Sequence, residues 1–252
     1  MVGYRDLPSP DYDDLNSRDS LSEKANRGLV ARLLDEHIPV GSLVLEVGCG
    51  TGQLTNFLGL SWKRKVFGAD MCLNSLRLAK GFRDRFSINH AAFLQMNLFR
   101  PGFRENAFDV VICSGVLPHT SDPLRGFRSV ATLVKPGGVI LIGLHNKIGG
   151  LLTDFRHCVL RFSGEKHKHS HESKHTFSEA IQWLESSGFE FLMTIPNISP
   201  EPFSPDEKPF EPHSKGSSIT RFLAELEMLL KGGVDDALFI VIGRKKIGMK
   251  IE

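Results

Sequence analysis

The chain lacks several features on which specialised protein classes depend. Its four cysteines lie far apart and form no C-x-x-C pair, which argues against a disulfide framework or a zinc ribbon and for reduced thiols. Its apolar runs are much shorter than the roughly 18 residues that a membrane span requires. The N-terminal segment has prolines and aspartates where a secretory signal has an apolar stretch. We therefore expect a cytoplasmic protein with no membrane partner.

An excess of charge of either sign is also missing. The 31 lysines and arginines are nearly balanced by 29 aspartates and glutamates, which leaves a net charge of +2. A chain this close to neutrality has no broad basic face, so nucleic acid is an unlikely partner. With 252 residues, of which 41% are hydrophobic, the chain can bury one substantial core. This composition predicts a soluble globular protein.

Short apolar runs alternate with helical periods over most of the chain. The expected strands are at residues 43–47, 65–69, 92–95, 108–114, 139–144, 189–195 and 238–244. The expected helices between and after them are at residues 73–85, 123–134, 177–187 and 219–230. Strands that are apolar on both faces and are linked by helices indicate a parallel sheet with right-handed crossovers.

The expected domain organisation is one domain preceded by an arm. Residues 1–40 form an N-terminal helical arm, in which Ser20 and Glu23 have the spacing of a capping box and start a helix that runs to about His37. Residues 41–252 form the α/β domain. It carries two insertions on the acceptor side, at about 146–175 and 196–218.

A glycine loop directly follows the first expected strand. Gly48, Gly50 and Gly52 allow a tight turn and a close approach of a ligand, and the helix that follows is expected to supply unpaired N–H donors. Glu46 lies two residues before the first glycine, where its carboxylate would repel a pyrophosphate. The same charge attracts an ammonium and a sulfonium, which S-adenosylmethionine carries. Cys49 belongs to this predicted cofactor site as a loop residue.

Polar groups at the ends of the next strands complete the predicted cofactor site. Asp70 can accept hydrogen bonds from two ribose hydroxyls, and Met71 can lie on the adenine face. Asn97 can accept a hydrogen bond from the adenine amino group. Leu98 beside it and Ser114, at the end of the fourth strand, are assigned to the same site. Each of these residues alone could instead be a turn residue that caps its own backbone.

Taken together, these motifs resemble those of the class I S-adenosylmethionine-dependent methyltransferases of the type 11/12 kind. The resemblance is close over about residues 20–145. It is carried by residues 44–52, Asp70, 108–111, 114–117 and 133–138. It implies a Rossmann-like seven-stranded sheet with the last strand antiparallel and helices on both faces. It also implies S-adenosylmethionine as cofactor and S-adenosylhomocysteine as product. Asn97 departs from the family, many of whose members carry Asp there.

The predicted acceptor is a polar small molecule, neutral or anionic, that is methylated on oxygen or nitrogen. The first insertion is rich in lysine and histidine, which favours an anionic ligand, although charge runs often only face water. Four histidines are candidates for the base that takes the acceptor's proton: His119, His145, His171 and His175. No metal is expected in the insertion, because interleaved lysines repel a cation.

Other functions stay open at this point. An RNA methyltransferase would use the basic insertion, and a catalytically silent S-adenosylmethionine-binding regulator would keep the cofactor motifs without turnover. A nicotinamide dehydrogenase shares the sheet but is disfavoured by Glu46, and an aminopropyl transferase is expected to carry further acidic residues. A homodimer through the apolar helix at 219–230 is left open.

Overall fold

The computed structural model describes residues 15–148, 172–198, 208–231 and 238–248. Several sequence predictions fall outside these residues. They concern the beginning of the N-terminal arm, most of the first insertion with His171, the middle of the second insertion, and Cys158.

Eight strands form one mixed sheet. In chain order they are β1 Leu43–Val47, β2 Lys65–Asp70, β3 Ala91–Gln95, β4 Phe108–Ser114, β5 Val134–Asn146, β6 Lys174–His175, β7 Phe189–Ile195 and β8 Leu238–Lys245. The order across the sheet is β3-β2-β1-β4-β5-β8-β7, and β6 pairs with β5 outside this path. β8 is antiparallel to β7. The Rossmann-like order and the antiparallel last strand are those that the sequence predicts, whereas β6 is an additional strand of two residues.

The described residues contain seven α-helices, of which two precede β1 and the others separate or follow strands. They are α1 Arg18–Arg27, α2 Leu29–His37, α3 Gln53–Leu58, α4 Leu73–Arg85, α5 Pro123–Ala131, α6 Phe177–Ser186 and α7 Ser218–Lys231. A 3₁₀ turn at Leu117–His119 follows β4. Within the described ranges, no helix is long and apolar enough to cross a membrane.

The N-terminal helix differs from the prediction in two ways. It begins earlier, with Ser17 as N-cap: the Ser17 side chain accepts from the Ser20 N–H, and the Ser20 hydroxyl accepts from the Ser17 N–H at 3.1 Å. The predicted box that starts at Ser20 is therefore wrong, because Ser20 is the reciprocal partner of an upstream cap. The helix also ends at Gly28, whose extended backbone (ψ 121°) starts a second helix.

The described residues fall into two compact units by their internal contacts. The first unit contains residues 15–113 and 129–140 of the described chain. In it β1 pairs in parallel with both β2 and β4, and β2 pairs in parallel with β3. The centre of β1 is fully buried: Val44 and Leu45 have no exposed surface. This unit holds the glycine loop.

The second unit contains residues 114–128 and the described residues from 141 onward. Its antiparallel pair β7 and β8 is packed by aromatic side chains, among them Phe177 and Phe239, whose ring centroids are 4.8 Å apart in a T-shaped contact. β6 extends β5 in parallel, with His145 opposite Lys174 and Asn146 opposite His175. The short β6 therefore places the end of the first predicted insertion beside the end of β5.

The cysteines agree with the expectation of reduced thiols where they are described. Cys49, Cys72 and Cys113 are free and buried. Burial raises the pKa of the Cys113 thiol to about 12, and the nearby Glu46 carboxylate adds to that rise. A thiol with so high a pKa is not a nucleophile at neutral pH, so Cys113 is a packing residue.

Candidate functional site

The glycine loop between β1 and α3 has the backbone that the sequence predicts. Gly48, Gly50 and Gly52 all have positive φ, at 74°, 54° and 73°. These conformations are disfavoured for residues with a Cβ atom. At Gly52 space is short as well, because a Cβ would lie 2.5 Å from Cε1 of Phe93 and 2.8 Å from Cβ of Ala79. The turn and the packing around it therefore both require glycine.

Three N–H groups of the loop are already bonded within the protein. The N–H groups of Gly48 and Cys49 donate to the Ala69 carbonyl at 2.7 and 3.1 Å. The N–H of Gly50 donates to Oδ2 of Asp70 at 2.8 Å. These three groups precede the helix at Gln53–Leu58, whose N-terminal N–H groups are the predicted unpaired donors. A loop whose donors are used internally is a poor cradle for pyrophosphate, which depends on free backbone N–H groups.

Glu46 is the charged side chain of β1 and precedes the loop. Its Oε2 accepts a hydrogen bond from the Thr55 hydroxyl at 2.5 Å. Burial raises the pKa of Glu46 to about 7; the hydrogen bonds from Thr55 oppose this rise and the Asp70 carboxylate adds to it. A carboxyl group with such a pKa is readily ionised by a nearby cation, because the cation stabilises only the charged form.

Asp70 ends β2 and holds two backbone groups. Its Oδ2 accepts from Gly50, and its Oδ1 accepts from the Cys72 N–H at 2.7 Å. A carboxylate offers about four acceptor positions, so two positions are left for ribose hydroxyls. The turn-capping role and the predicted ribose role are thus compatible in one side chain.

The residues predicted to contact adenine are largely open to solvent. Met71 is 42% exposed, and its carbonyl accepts from Nε2 of Gln95 at 2.9 Å. Asn97 is exposed, but its Oδ1 accepts from the Phe99 N–H at 2.9 Å, so this oxygen caps its own turn. The Leu98 carbonyl accepts from the Ser129 hydroxyl at 2.7 Å. Asn97 retains one acceptor position and two amide donors for a ligand.

Ser114 ends β4 and belongs to the second unit. It is half-buried, and a Cβ on Gly143 would lie 2.3 Å from its Oγ. The Gly115 N–H donates to the Gly143 carbonyl at 3.3 Å. A side chain at position 143 would therefore displace Ser114.

His119 and His145 lie together in the second unit, next to Glu172. Nδ1 of His119 is 3.5 Å from Oε1 of Glu172, and the two imidazole rings are 5.9 Å apart between centroids at 72°. One ligand-type atom from each of the three residues lies within 4.8 Å of the other two. We call these three residues the histidine cluster. Burial lowers the pKa of His145; the Glu172 carboxylate opposes this shift, while His119 and Lys174 add to it.

His175, the third described histidine among the predicted bases, has other neighbours. Its Nε2 is 3.0 Å from the Ser173 hydroxyl and its Nδ1 is 3.5 Å from Oε2 of Glu179. Its ring packs edge-on against Trp183 with centroids 4.7 Å apart. Burial lowers the pKa of His175, and the Glu179 carboxylate counteracts this. The predicted bases thus separate into the pair His119 and His145, the separately packed His175, and His171, which lies outside the described residues.

Comparison with known proteins identifies the central part of the chain. Residues 45–142 match the methyltransferase domain family. The chain is 33% identical over 119 residues to the ubiquinone biosynthesis O-methyltransferase of Neisseria meningitidis serogroup C, a match that covers 45% of this chain and 49% of that protein. It is 29% identical over 170 residues to the protein of the same name from Coxiella burnetii, covering 60% of this chain and 65% of that protein.

The fold has solved counterparts of similar size. Magnesium protoporphyrin IX methyltransferase from Synechocystis, solved with bound S-adenosylhomocysteine, superposes with a TM-score of 0.58 at 19% identity. The superposition covers 93% of this chain and 91% of that one. In sequence, by contrast, the chain spans only about half the length of its Neisseria relative. The matched domain at residues 45–142 and the strand order together support a class I S-adenosylmethionine-dependent methyltransferase.

Proposed function

We propose that the protein transfers the methyl group of S-adenosylmethionine to an oxygen or nitrogen atom of a polar small molecule, in the cytoplasm. S-adenosylhomocysteine is the product nucleotide. The family supports the donor, and the name of the Neisseria and Coxiella relatives supports an oxygen acceptor. The near-neutral net charge of +2 supports a small acceptor over a nucleic acid.

The observation that carries the proposal is the pair of carboxyl groups around the glycine loop. Glu46 lies before the loop and Asp70 is hydrogen-bonded to its middle residue, Gly50. The loop N–H groups that a pyrophosphate would need are used by Ala69 and Asp70. A ligand with an ammonium, a sulfonium and a ribose fits these groups, because it supplies positive charge and hydroxyl donors. In this proposal Glu46 faces the positive charge and Asp70 binds the ribose.

The remaining cofactor contacts follow from the predicted strand ends. Met71 covers one adenine face, and Asn97 uses its remaining hydrogen-bonding capacity on the adenine edge. Gly48, Cys49, Gly50 and Gly52 supply the close backbone approach, and Leu98 and Ser114 complete the site.

Methyl transfer to a hydroxyl or an amine requires that the acceptor lose a proton. We assign this step to the histidine cluster, since it brings together two of the four predicted bases and a carboxylate. His175 is less suited, because its ring packs on Trp183 and its nitrogens face Ser173 and Glu179.

Calorimetry with S-adenosylhomocysteine, S-adenosylmethionine and NADH tests the cofactor assignment. We expect binding of the two sulfur nucleotides and none of NADH, and tight NADH binding without theirs would contradict the proposal. Transfer of a labelled methyl group to a panel of phenols, carboxylates and amines then tests the activity. Label on RNA alone would favour the RNA methyltransferase, and binding without transfer to any acceptor would favour the silent regulator.

A homodimer is the proposed assembly. Helix α7 exposes four large apolar side chains, with 72% of Ile219, 53% of Phe222, 56% of Leu223 and 78% of Leu230 accessible. Exposed apolar side chains on one helix are typical of an association surface. Sedimentation of the wild type and of Phe222→Glu tests this, since the substitution is expected to yield monomers, and a wild type that sediments as a monomer would contradict it.

A further inference from the structure

The histidine cluster has the composition and spacing of a metal site. Among the residues that the structure describes, it is the place where three groups of metal-ligating type converge, with one ligand atom each within 4.8 Å of the others. We propose that His119, His145 and Glu172 bind a divalent first-row transition metal ion such as Zn²⁺. Metal binding does not depend on methyl transfer, so the two proposals can fail separately.

The backbone holds the three residues in place through separate hydrogen bonds. His119 ends the 3₁₀ turn, and the carbonyl of the preceding Pro118 accepts from the Ser173 N–H at 2.9 Å. Ser173 follows Glu172, so this bond holds the backbone next to Glu172 beside the turn. His145 lies on β5, which pairs with β6 at the neighbouring residue, Lys174. The ligands therefore come from backbone segments that are joined before any ion binds, which lowers the entropic cost of forming the site.

The observed distances are close to those of a coordinated ion. Zinc bonds of about 2.1 Å in a tetrahedral shell place neighbouring ligand atoms roughly 3.4 Å apart. Nδ1 of His119 and Oε1 of Glu172 are at 3.5 Å. The limit of 4.8 Å for the three atoms leaves at most about 1.4 Å for side-chain rotation to close. The Glu172 side chain is 37% exposed.

The donor set selects the class of ion. Two imidazoles and one carboxylate suit Zn²⁺, Fe²⁺ and Co²⁺, whereas Mg²⁺ and Ca²⁺ prefer oxygen ligands alone. Three protein ligands leave at least one coordination position for water or for an oxygen of a bound molecule. A hydroxyl on that position loses its proton more easily, because the ion stabilises the resulting anion.

One neighbouring charge opposes cation binding. Lys174 lies opposite His145 in the β5–β6 pairing and disfavours positive charge there. An ammonium close to the site reduces affinity for a divalent ion through Coulomb repulsion. This gives a test that removes no ligand: Lys174→Gln is expected to bind metal several-fold more tightly than the wild type.

Titration of the chelator-treated full chain with Co²⁺ tests the site through visible absorption. We expect one equivalent of Co²⁺ to give the d–d bands of a low-coordinate ion, Zn²⁺ to displace it and Mg²⁺ to leave it bound. His119→Ala and Glu172→Gln are expected to weaken binding by on the order of 100-fold or more. Circular dichroism and S-adenosylhomocysteine binding of the same variants show whether the chain is folded, and Glu172→Gln is the safer variant because that side chain is exposed.

The histidines of the undescribed insertion require a matched control. The double variant His167→Ala/His169→Ala is expected to keep the Co²⁺ bands and the affinity of the wild type. The proposal is overturned if the wild type gives no bands, if Glu172→Gln and His119→Ala bind as tightly as the wild type, or if only the double variant loses binding.

Discussion

The glycine loop and the histidine cluster are assembled in opposite ways. The loop is one continuous segment, residues 48–52, and its polar partners Glu46 and Asp70 lie on the adjacent parallel strands β1 and β2. The histidine cluster joins a 3₁₀ turn, the end of β5 and the residue two positions before β6, which are distant in the sequence. The turn of the first site is therefore determined by local sequence, and only its partner Asp70 depends on the pairing of β1 with β2. The second site depends entirely on contacts between segments that are distant in the sequence. Substitutions should affect the two sites independently.

The largest expected effect is at Gly52, where both φ and space demand glycine. Gly52→Ala would combine a left-handed backbone with a Cβ that contacts Phe93 and Ala79. We expect a loss of about 2–4 kcal/mol in the free energy of unfolding, measured with urea, together with loss of S-adenosylhomocysteine binding. Gly102→Ala is the control, since no atom lies within 4 Å of its added Cβ. If Co²⁺ binding fell in the folded Gly52→Ala protein as well, the separation of the two sites would be wrong.

The second largest effect is expected for Asp70→Ala, in which cofactor binding is weakened. It removes the acceptor for Gly50 and Cys72 and the proposed ribose contact in one step. Hydrogen bonds to charged groups contribute about 1.5–3 kcal/mol, so a roughly 10- to 100-fold weaker affinity for S-adenosylhomocysteine is expected by calorimetry. The exposed Asp84→Ala serves as control. An unchanged affinity would show that Asp70 is only a turn residue.

Glu46 should make cofactor binding depend on pH. In the free protein its pKa is raised to about 7, and a bound cation favours the ionised form. Affinity for the ammonium-bearing S-adenosylhomocysteine should therefore rise roughly tenfold between about pH 6 and pH 7.5, with proton release on binding at the lower pH. Calorimetry in buffers of different ionisation enthalpy measures both. Glu46→Gln should bind S-adenosylhomocysteine more weakly than the wild type, with an affinity that is nearly independent of pH over this range.

The raised pKa of Glu46 also predicts in which direction the stability of the protein changes with pH. Because the pKa is raised from 4.5 to about 7, the folded protein keeps a proton that the unfolded chain releases. The stabilisation is fully present at a pH below 4.5, the pKa of this group in the unfolded chain, and it is lost as the pH rises through about 7. We expect a loss of about 1–2 kcal/mol, reduced by partial solvent screening of the side chain. A Glu46→Gln variant with the same pH slope of unfolding would assign the slope to other groups.

The smallest effect concerns a glycine that the fold does not need. Gly81 lies in α4, is exposed, and has no atom within 4 Å of an added Cβ. Gly81→Ala should raise the free energy of unfolding by about 0.5–1 kcal/mol, because alanine has the higher helix propensity. The free energies of unfolding of Gly81→Ala and Gly52→Ala, both measured with urea, are then compared. The comparison separates the conformational requirement at position 52 from a general effect of adding a methyl group. A loss of stability in Gly81→Ala would remove that distinction.

Elements with a clear local signal were predictable from the sequence. β1, β4, β7 and α4 have the predicted bounds, because apolar runs or helical periods stop at polar or glycine residues. β5 begins at Val134, five residues before the predicted start, and the helix predicted to reach residue 134 ends at Ala131. β6 has two residues and no periodicity of its own, so nothing in the sequence indicates it.

The candidate site likewise has features that the sequence predicts and features that depend on tertiary contacts. The positive φ of the three loop glycines follows from their spacing, whereas the use of their N–H groups depends on Ala69 and Asp70 on the neighbouring strand. His119 and His145 could be proposed as bases because each follows a strand. Their convergence with Glu172 depends on the Ser173 bond to Pro118 and on β6, which are tertiary contacts. The predicted domain limits and the individual base assignments stay predictions.

The hydrogen bond from Gly50 to Asp70 affects how the free protein binds its cofactor. The group that shapes the turn is also the group assigned to the sugar, so the turn is already organised around the position that the nucleoside will occupy. Little rearrangement should accompany capture, and association should be fast and nearly rigid. A variant that loosens this bond would slow arrival of the nucleotide as well as hasten its departure.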